Sequence, residues 1–522
     1  MRAIMSVANR SGLSELANEL QRHNVELYAT SGTLKALQAT GGEARSVSEL
    51  TQFPEILNGR IKTLHPSVVG GILALRDNPA HLAALEAHGI APIDIVVVNL
   101  YPFAETIAHP GTTLSEAQEQ IDIGGVTLIR AAAKNFQSVI VLVRPEDYVP
   151  VLQEWSEQGE VSLETRRRLA AIAFQHTANY DTTIAEYLRV QVTDPFPEEL
   201  TLPLKRIQTL RYGENPHQQA AFYRWADTSA QSAQPSIAGS AVLHGKELSF
   251  NNLLDLDAAL AAVCSFTAPT VVIIKHTNPC GLACGDTLLE AYKKAHAGDP
   301  ISAFGGVLGC NRPVDRATAE EINQLFYEAI IAPSYAPEAL EILRGKKNLR
   351  LLATNRPIEP KGINTQTLHA GRPDVRSVSG GLLLQTPDAV GESEPEYTVV
   401  TEREPNFEEV TDLMFAWKVV RHVKSNAIVL AHKLAVVGVG AGQMNRVASV
   451  QLAVEKAGER AHGSVLASDA YFPFCDGVEA AAKAGVTAVI QPGGSIRDEE
   501  SIRMANRYAI AMIFTGRRHF RH

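Results

Sequence analysis

Short apolar segments alternate with amphipathic ones along the first ~190 residues, the pattern that α/β folds show. Mainly apolar runs predict buried strands at Ala3–Val7, Val25–Ala29, Ile93–Leu100 and Ser138–Val143. Apolar residues recur with helical spacing in the segments between them, as at Leu13–Arg22 and Leu34–Ala39. The alternation predicts a mostly parallel sheet with helices on both faces.

A proline-rich acidic segment interrupts this pattern before a second alternation begins. Pro195, Pro197 and Pro203 resist both helix and central strand, so we predict a linker over 193–204 between domains at 1–192 and 205–522. In the second domain we predict strands at Val271–Ile274, Gly306–Gly309, Ala427–Ala431, Ala435–Val439, Ser464–Ala467, Ala488–Gln491 and Ala509–Phe514. A faint likeness between Ile274–Asn278 and Val423–Ala427 indicates two duplicated halves.

Length and composition narrow the class of protein. The 522 residues are too many for one core, and 45% apolar with 20% charged residues is typical of a globular protein. The net charge of −9 argues against non-specific nucleic-acid binding. Five cysteines, an odd and sparse set, favour reduced thiols. Without a signal-peptide pattern at the N-terminus or an apolar run of about 20 residues, we expect a cytoplasmic protein with no membrane contact.

The segment Val271–Gly281 is the strongest candidate for chemistry. A short β-branched run ends at Lys275-His276-Thr277-Asn278, and Pro279 and Gly281 then break the extended pattern. The polar residues should lie on a turn at a strand end, where open α/β sheets bind ligands. A cation next to an imidazole favours the neutral ring, which can accept a proton. The alternative is a capped strand end with a solvated Lys-His pair.

Two familiar motifs are excluded by spacing. Zinc-dependent nucleobase deaminases need H-x-E and C-x-x-C, whereas this chain has Asn278 in place of the glutamate and C-x-x-x-C at Cys280 and Cys284. The glycines in Val437–Arg446 fall one position short of G-x-G-x-x-G, so we expect a tight turn that presents Asn445 and Arg446 to an anionic ligand.

Two turns of the first domain resemble phosphate sites. Asn9-Arg10-Ser11-Gly12 follows the first strand and Ala29-Thr30-Ser31-Gly32-Thr33 follows the second. Each precedes a helix whose free N–H groups suit an anion. Either one alone is better explained by N-capping, but two at one sheet edge favour a phosphate pocket.

Loops of the same domain carry residues that can transfer protons. They are Lys62 in Gly59–Pro66, Tyr101 in Asn99–Phe103, Asp122 in Ile121–Val126, and Lys134 on the helix that follows. Each alone would be an unremarkable surface residue.

These segments, together with Arg211–Gln218 and Lys275–Gly281, resemble one family from residue 6 onward. It comprises the bifunctional purine-biosynthesis enzymes that join an AICAR formyltransferase to an IMP cyclohydrolase. The resemblance implies a methylglyoxal-synthase-like parallel-sheet domain, then a formyltransferase domain of two cytidine-deaminase-like α/β subdomains. It also implies the last two steps of IMP synthesis: formyl transfer from 10-formyltetrahydrofolate to AICAR, then closure of formyl-AICAR to IMP with loss of water.

The resemblance also implies site residues. The catalytic positions that match the family are Lys275, His276, Asn426, Lys62, Tyr101, Asp122 and Lys134. The implied substrate-binding positions are Arg10, Ser11, Ser31, Gly32, Thr33, Arg60, Thr63, Gly124, Gly125, Arg211, Tyr212, Asn252, Phe304, Gly305, Asn445, Arg446, Phe474, Asp476 and Arg518. The folate is a co-substrate, no metal is expected in catalysis, and a homodimer is expected.

The chain departs from the family pattern at two positions. Arg10 replaces a lysine, which keeps the charge but changes its geometry. Ser334 stands where the family has an acidic residue, so it is not included in the site. Two other functions stay open: a nucleotide-sensing module, which would need no proton-transfer residues, and a non-catalytic binding scaffold.

Overall fold

The computed structural model describes residues 1–101, 103–109, 111–189, 196–225, 235–358, 373–388 and 396–522. Pro102 and the first three residues of the predicted linker lie outside them. The described chain divides into two compact units: Met1–Lys205 with Trp225, and Arg206–Arg224 with the residues from 235 onward. The predicted domain limits at 192 and 205 stay predictions, since part of the linker is not described.

Unit 1 is built of strands and helices in alternation. Its strands are β1 (Arg2–Val7), β2 (Glu26–Ala29), β3 (Arg45–Ser46), β4 (Ile95–Asn99) and β5 (Ile140–Leu142). Its helices are α1 (Leu13–Arg22), α2 (Ser31–Ala39), α3 (Val47–Thr51), α4 (Pro66–Leu73), α5 (Pro79–Ala87), α6 (Phe103–Ala108), α7 (Leu114–Glu119), α8 (Gly124–Lys134), α9 (Tyr148–Gln158) and α10 (Leu163–Arg189).

The sheet of unit 1 is parallel, as predicted, with the order β3-β2-β1-β4-β5. Strand β4 is buried along its whole length because helices cover both faces. Helix α1 buries Leu13, Leu16, Ala17 and Leu20, the stripe that its spacing predicts. The carboxyl ends of β1, β2 and β4 therefore bring three loops to one edge of the sheet.

The remaining strands follow α10 along the chain. They are β6 (Leu204–Leu210), β7 (Ala220–Trp225), β8 (Ala241–His244), β9 (Thr270–Lys275), β10 (Asn278–Cys284), β11 (Val307–Cys310), β12 (Ala329–Ala332), β13 (Arg350–Ala353), β14 (Asp374–Val378), β15 (Gly381–Gln385), β16 (Thr398–Val399), β17 (Ile428–His432), β18 (Ala435–Gly440), β19 (Val465–Ser468), β20 (Ala488–Gln491) and β21 (Ala511–Phe514). The helices are α11 (Phe250–Val263), α12 (Leu288–Gly298), α13 (Pro300–Ala303), α14 (Arg316–Ile322), α15 (Pro337–Arg344), α16 (Phe407–Val420), α17 (Arg446–Ala457), α18 (Asp476–Lys483) and α19 (Asp498–Arg507).

One long sheet organises unit 2, with the order β16-β21-β20-β19-β17-β18-β10-β9-β11-β12-β13-β8. Strands β10 and β18 meet in its middle and run antiparallel. On either side of them the same series occurs: a helix, a hairpin, a helix, and parallel strands linked by helices. The cytidine-deaminase-like character of these halves stays a prediction.

The internal repeat has a different register from the one that the sequence suggested. Hairpin β9–β10 corresponds to β17–β18, so Lys275-His276 corresponds to His432-Lys433 at the second hairpin turn. Asn426 instead precedes β17, at the opposite end of that strand from the turn. The alignment of the two halves predicted from the sequence was wrong. It matched a few polar residues and did not take account of the helix and hairpin that surround them.

Two local predictions are also corrected. Pro279 and Gly281 do not end the extended chain; β10 runs through them with an irregularity in its register between these two residues. Strand β9 is antiparallel to both neighbours, and Lys275 and His276 lie at the predicted strand end, where a hairpin turn joins β9 to β10. Gly438 and Gly440 lie inside β18, where a Cβ would meet backbone oxygens of α17 at 2.1 and 1.9 Å. They serve helix packing and not a turn.

In the described parts of both units, no helix has the length and apolar character needed to cross a membrane.

Candidate active sites

The loops at the sheet edge of unit 1 enclose a cavity of about 630 Å³. Of the predicted residues, its lining includes Arg10, Gly32, Thr33, Lys62, Tyr101 and Asp122. Ser11 is exposed at the start of α1. Loops that are far apart in sequence thus bring cations, a phenol and a carboxyl group into one cavity.

Side-chain hydrogen bonds fix the two loops that are predicted to bind phosphate. The Thr33 hydroxyl accepts the Val7 N–H at 2.9 Å, and the Thr30 hydroxyl lies 3.1 Å from that of Ser6. Asn99 accepts the N–H groups of Ala8 and Asn9 at 2.7 and 2.8 Å. Asn99 was not among the predicted site residues, although its place at the end of a buried strand was a usable signal.

Asp122 combines burial with nearby donors. Burial raises the pKa of its carboxyl group, while the Gly125 N–H, at 2.7 Å, and the Lys62 ammonium both oppose this rise. A Cβ at Gly125 would lie 2.6 Å from Asp122 Oδ2, and one at Gly124 would lie 2.6 Å from the buried Thr63 hydroxyl. The two glycines therefore let the start of α8 close against this loop.

Three predicted site residues, Ser31, Arg60 and Lys134, lie outside the lining of this cavity. Ser31 is hydrogen-bonded to Glu55, and Arg60 is paired with Glu119, both at exposed positions. Lys134 is exposed at the C-terminal end of α8, whereas Asp122 precedes the N-terminal end of that helix. It is not part of the described cavity lining.

A cavity of about 600 Å³ in unit 2 surrounds the Lys-His turn. Of the predicted residues, Lys275, His276, Arg211, Tyr212, Asn252 and Gly305 line it. The Lys275 ammonium donates to the Phe304 carbonyl at 2.8 Å, and Gly305 has a φ of 66°. The turn that holds Phe304 and Gly305 thus fixes the lysine beside the cavity.

The same lining contains charged residues that reasoning from the sequence missed. Arg350 donates to Glu328 at 2.8 Å, and its side chain is 7% exposed. Asp255 accepts the Thr277 N–H at 2.7 Å, and burial raises the pKa of its carboxyl group. No short motif marks Arg350 or Glu328, because each lies on or beside a strand that was not predicted.

A further cavity of unit 2, about 330 Å³, is lined by five more of the predicted residues. Asn426, Asn445, Arg446, Phe474 and Asp476 line it. The Arg446 guanidinium donates to the Asn426 side-chain oxygen at 2.8 Å and is paired with the fully buried Asp469. Arg518 is exposed and stacks on the Phe520 ring at 4.6 Å.

His276 and Asn426 line different cavities within the chain, so the structure does not bring these predicted catalytic residues together. The segments that carry them are in contact: the Asn278 side chain, two residues after His276, accepts the Lys424 N–H at 2.9 Å, and Lys424 also lines the cavity of His276.

The cysteines near the turn do not form a metal site with it. Cys280 and Cys284 lie on β10, and burial raises the pKa of Cys280 to about 12. Across the described residues, no group of three or more His, Cys, Asp or Glu side chains is arranged to hold a metal ion. The prediction that catalysis needs no metal stays a prediction.

Comparison with known proteins decides the family. The chain matches the family described as AICARFT/IMPCHase bienzyme over residues 132–456 and the MGS-like domain over residues 12–127. Proteins named "Bifunctional purine biosynthesis protein PurH" from Bacillus mycoides and Bacillus cereus are 52% identical over 521 residues, which cover 100% of this chain and 99% of each relative. The relative of that name from Anoxybacillus flavithermus is 54% identical with the same coverage. The chain belongs to the AICARFT/IMPCHase bienzyme family.

Membership in the AICARFT/IMPCHase bienzyme family confirms the resemblance and the MGS-like N-terminal domain. The MGS-like match contains Lys62, Tyr101 and Asp122, which line the unit 1 cavity. The bienzyme match contains Lys275 and His276, which line the first cavity of unit 2.

Proposed function

We propose that the two activities of this family are divided between the cavity around Asp122 and the cavity around Lys275 and His276. As a member of the family, the chain is a bifunctional AICAR formyltransferase and IMP cyclohydrolase that carries out the last two steps of purine biosynthesis. The observation that carries the division is the placement of the two sets of proton-transfer residues in different cavities, one in each unit.

In the formyltransferase cavity, His276 is the proposed general base. The 5-amino group of AICAR attacks the formyl carbon of 10-formyltetrahydrofolate and loses a proton to the imidazole as the new C–N bond forms. The bond to N10 of the folate then breaks, and N10 regains a proton. A positioned base typically contributes about 10²–10⁴-fold to such a step.

Lys275 and Asn426 have proposed supporting roles. The Lys275 ammonium, already held by the Phe304 carbonyl, would stabilise the oxygen of the tetrahedral intermediate. Asn426 would hydrogen-bond the formyl region; because it lines a separate cavity of the chain, only the resemblance supports this role. The proposed AICAR contacts are Arg211, Tyr212, Asn252, Phe304, Gly305 and Arg518, and those on the folate side are Asn445, Arg446, Phe474 and Asp476.

In the cyclohydrolase cavity, the carboxamide nitrogen of formyl-AICAR attacks the formyl carbon of the same molecule. Proximity is already supplied, so the protein mainly folds the substrate and moves protons. Asp122 is the proposed base, and Lys62 and Tyr101 would support the oxygen that leaves as water. For Lys134, exposed at the far end of α8, only the resemblance supports a catalytic role. The phosphate group of the substrate would bind at Arg10, Gly32 and Thr33, in the loops that follow β1 and β2. The other predicted substrate-binding residues of unit 1 would lie around it: Ser11, Ser31, Arg60, Thr63, Gly124 and Gly125.

The direct test supplies AICAR and 10-formyltetrahydrofolate to the purified full chain and follows tetrahydrofolate by absorbance and IMP by chromatography. Formyl-AICAR supplied alone measures ring closure separately. Both products should form; binding of the substrates without turnover would favour a sensor or a scaffold instead. A homodimer and a cytoplasmic location stay predictions.

A further inference from the structure

The backbone that carries His276 is in an unfavourable conformation. His276 and Thr277 have φ values of 51° and 63°, in the left-handed region. Two successive left-handed residues make a tight hairpin turn between β9 and β10, and the second of them is β-branched, which makes that region more costly. Something outside the hairpin must stabilise this turn.

Asp255 is the residue that holds it. Its carboxylate accepts the Thr277 N–H at 2.7 Å. Asp255 lies on α11, whose first turn is fixed by a capping box between Ser249 and Asn252. A helix that is anchored in this way gives the carboxylate a defined position next to the turn.

The second half of unit 2 repeats this arrangement with Lys433 at the position of His276. Asp412 on α16 accepts the N–H groups of Lys433 and Leu434, both at 2.7 Å, and these residues have φ values of 51° and 58°. The carboxylate and the second turn residue are 22 positions apart in both halves. The aspartate therefore belongs to the repeated turn, and the first half places His276 on it.

We propose that Asp255 is a positioning residue for formyl transfer, which acts by fixing the backbone turn that directs His276 into its cavity. The inference rests on the proposed role of His276. It explains a side chain of the cavity lining to which the sequence assigned no role.

The internal repeat supplies a matched control. Asparagine keeps the shape of the side chain but removes its negative charge and replaces one carboxylate oxygen with an NH₂ group, which cannot accept a backbone N–H of the turn. Asp255→Asn should lower kcat for formyl transfer by about 10²-fold, the scale of a misplaced catalytic group. Asp412→Asn should change it by less than about threefold, although both variants should lower the thermal midpoint to a similar extent. Equal effects on kcat in the two variants would overturn the proposal.

A double-mutant cycle with His276→Ala distinguishes positioning from direct contact with substrate. If Asp255 acts through His276, adding Asp255→Asn to His276→Ala should leave the residual rate unchanged within about twofold, and KM for AICAR should change little. A further large loss would show that Asp255 has its own role and would overturn the proposal. Should Asp255→Asn aggregate, Asp255→Glu, which keeps both oxygens but displaces them, takes its place with the same expected outcomes. Full formyl transfer by His276→Ala alone would instead refute the proposed function.

Discussion

The Tyr180 hydroxyl accepts the backbone N–H of Asp122 at 2.8 Å and donates to the Gln120 carbonyl at 3.2 Å. Burial raises the pKa of Tyr180 to about 12, so the hydroxyl keeps its proton at neutral pH. Its ring packs edge-to-face against Phe103. Helix α10 therefore supports the loop that carries the proposed cyclohydrolase base.

Removing that hydroxyl should impair ring closure. We expect Tyr180→Phe to lower kcat for formyl-AICAR by about tenfold, because two partly buried backbone groups lose a partner worth about 1–3 kcal/mol. Tyr187→Phe is the matched control, since the Tyr187 ring also packs on Phe103, at 5.7 Å between centroids. Steady-state kinetics on formyl-AICAR measure both; an equal loss in the two variants would contradict a specific role for the contact between the Tyr180 hydroxyl and Asp122.

The pH dependence of ring closure should report Asp122. Burial raises the pKa of this carboxyl group, so the base should become protonated, and the rate should fall, at a higher pH than an ordinary aspartate would give. The Lys62 ammonium lowers the same pKa. Lys62→Met should therefore move the acidic limb of the pH–rate profile upward, besides reducing the rate. A limb that stays in place or moves downward would contradict the assignment of Asp122 as the base.

The same shift predicts a sign for stability. A carboxyl group whose pKa is raised by folding binds its proton more tightly in the folded state, so its contribution is full below the unfolded-state pKa and is lost as pH rises through the folded-state value. Asp122→Asn should abolish ring closure, because it removes the proposed base. It should not lower the thermal midpoint at neutral pH, because the amide oxygen of the substituted side chain can still accept the Gly125 N–H. Thermal denaturation followed by circular dichroism measures the midpoint. A clearly lower midpoint for the variant than for the wild type would contradict this prediction.

The contact between Arg446 and Asn426 gives a prediction for the formyltransferase unit. Arg446 uses one guanidinium nitrogen for Asn426 and the other for Asp469, and lysine has only one nitrogen in their place. Arg446→Lys should therefore reduce formyl transfer about 10- to 100-fold and leave ring closure intact. Arg460→Lys is the control, because Arg460 also makes several hydrogen bonds, to Ala457 and Gly298, away from Asn426. A similar loss of formyl transfer in both variants would remove Arg446 from the site.

The sequence predicted the elements that burial alone determines. Strand β4 and helix α1 were recovered because a strand covered on both faces is uniformly apolar and a half-buried helix shows a stripe. Strand β10 was missed because Pro279 and Gly281 are strand breakers in isolation. A Cβ at Gly281 would lie 2.0 Å from the Ala295 carbonyl oxygen, so packing of α12 requires glycine there.

Site residues were predictable in type but not in arrangement. Motifs pointed to Lys275 and His276, yet the two left-handed residues of the turn and the carboxylate that holds them depend on a helix twenty or so positions earlier. The separation of Asn426 from His276 likewise depends on the register of the repeat, which a match of short polar motifs obscured.

The division of the two activities between two sites is tested most directly by assaying His276→Ala and Asp122→Asn in the full chain, side by side, for both reactions. His276→Ala should lose formyl transfer by about 10²-fold or more and close the ring of supplied formyl-AICAR at the wild-type rate. Asp122→Asn should show the reverse, transferring formyl normally and accumulating formyl-AICAR. Loss of both activities in either variant, with the protein still folded by circular dichroism, would contradict the division.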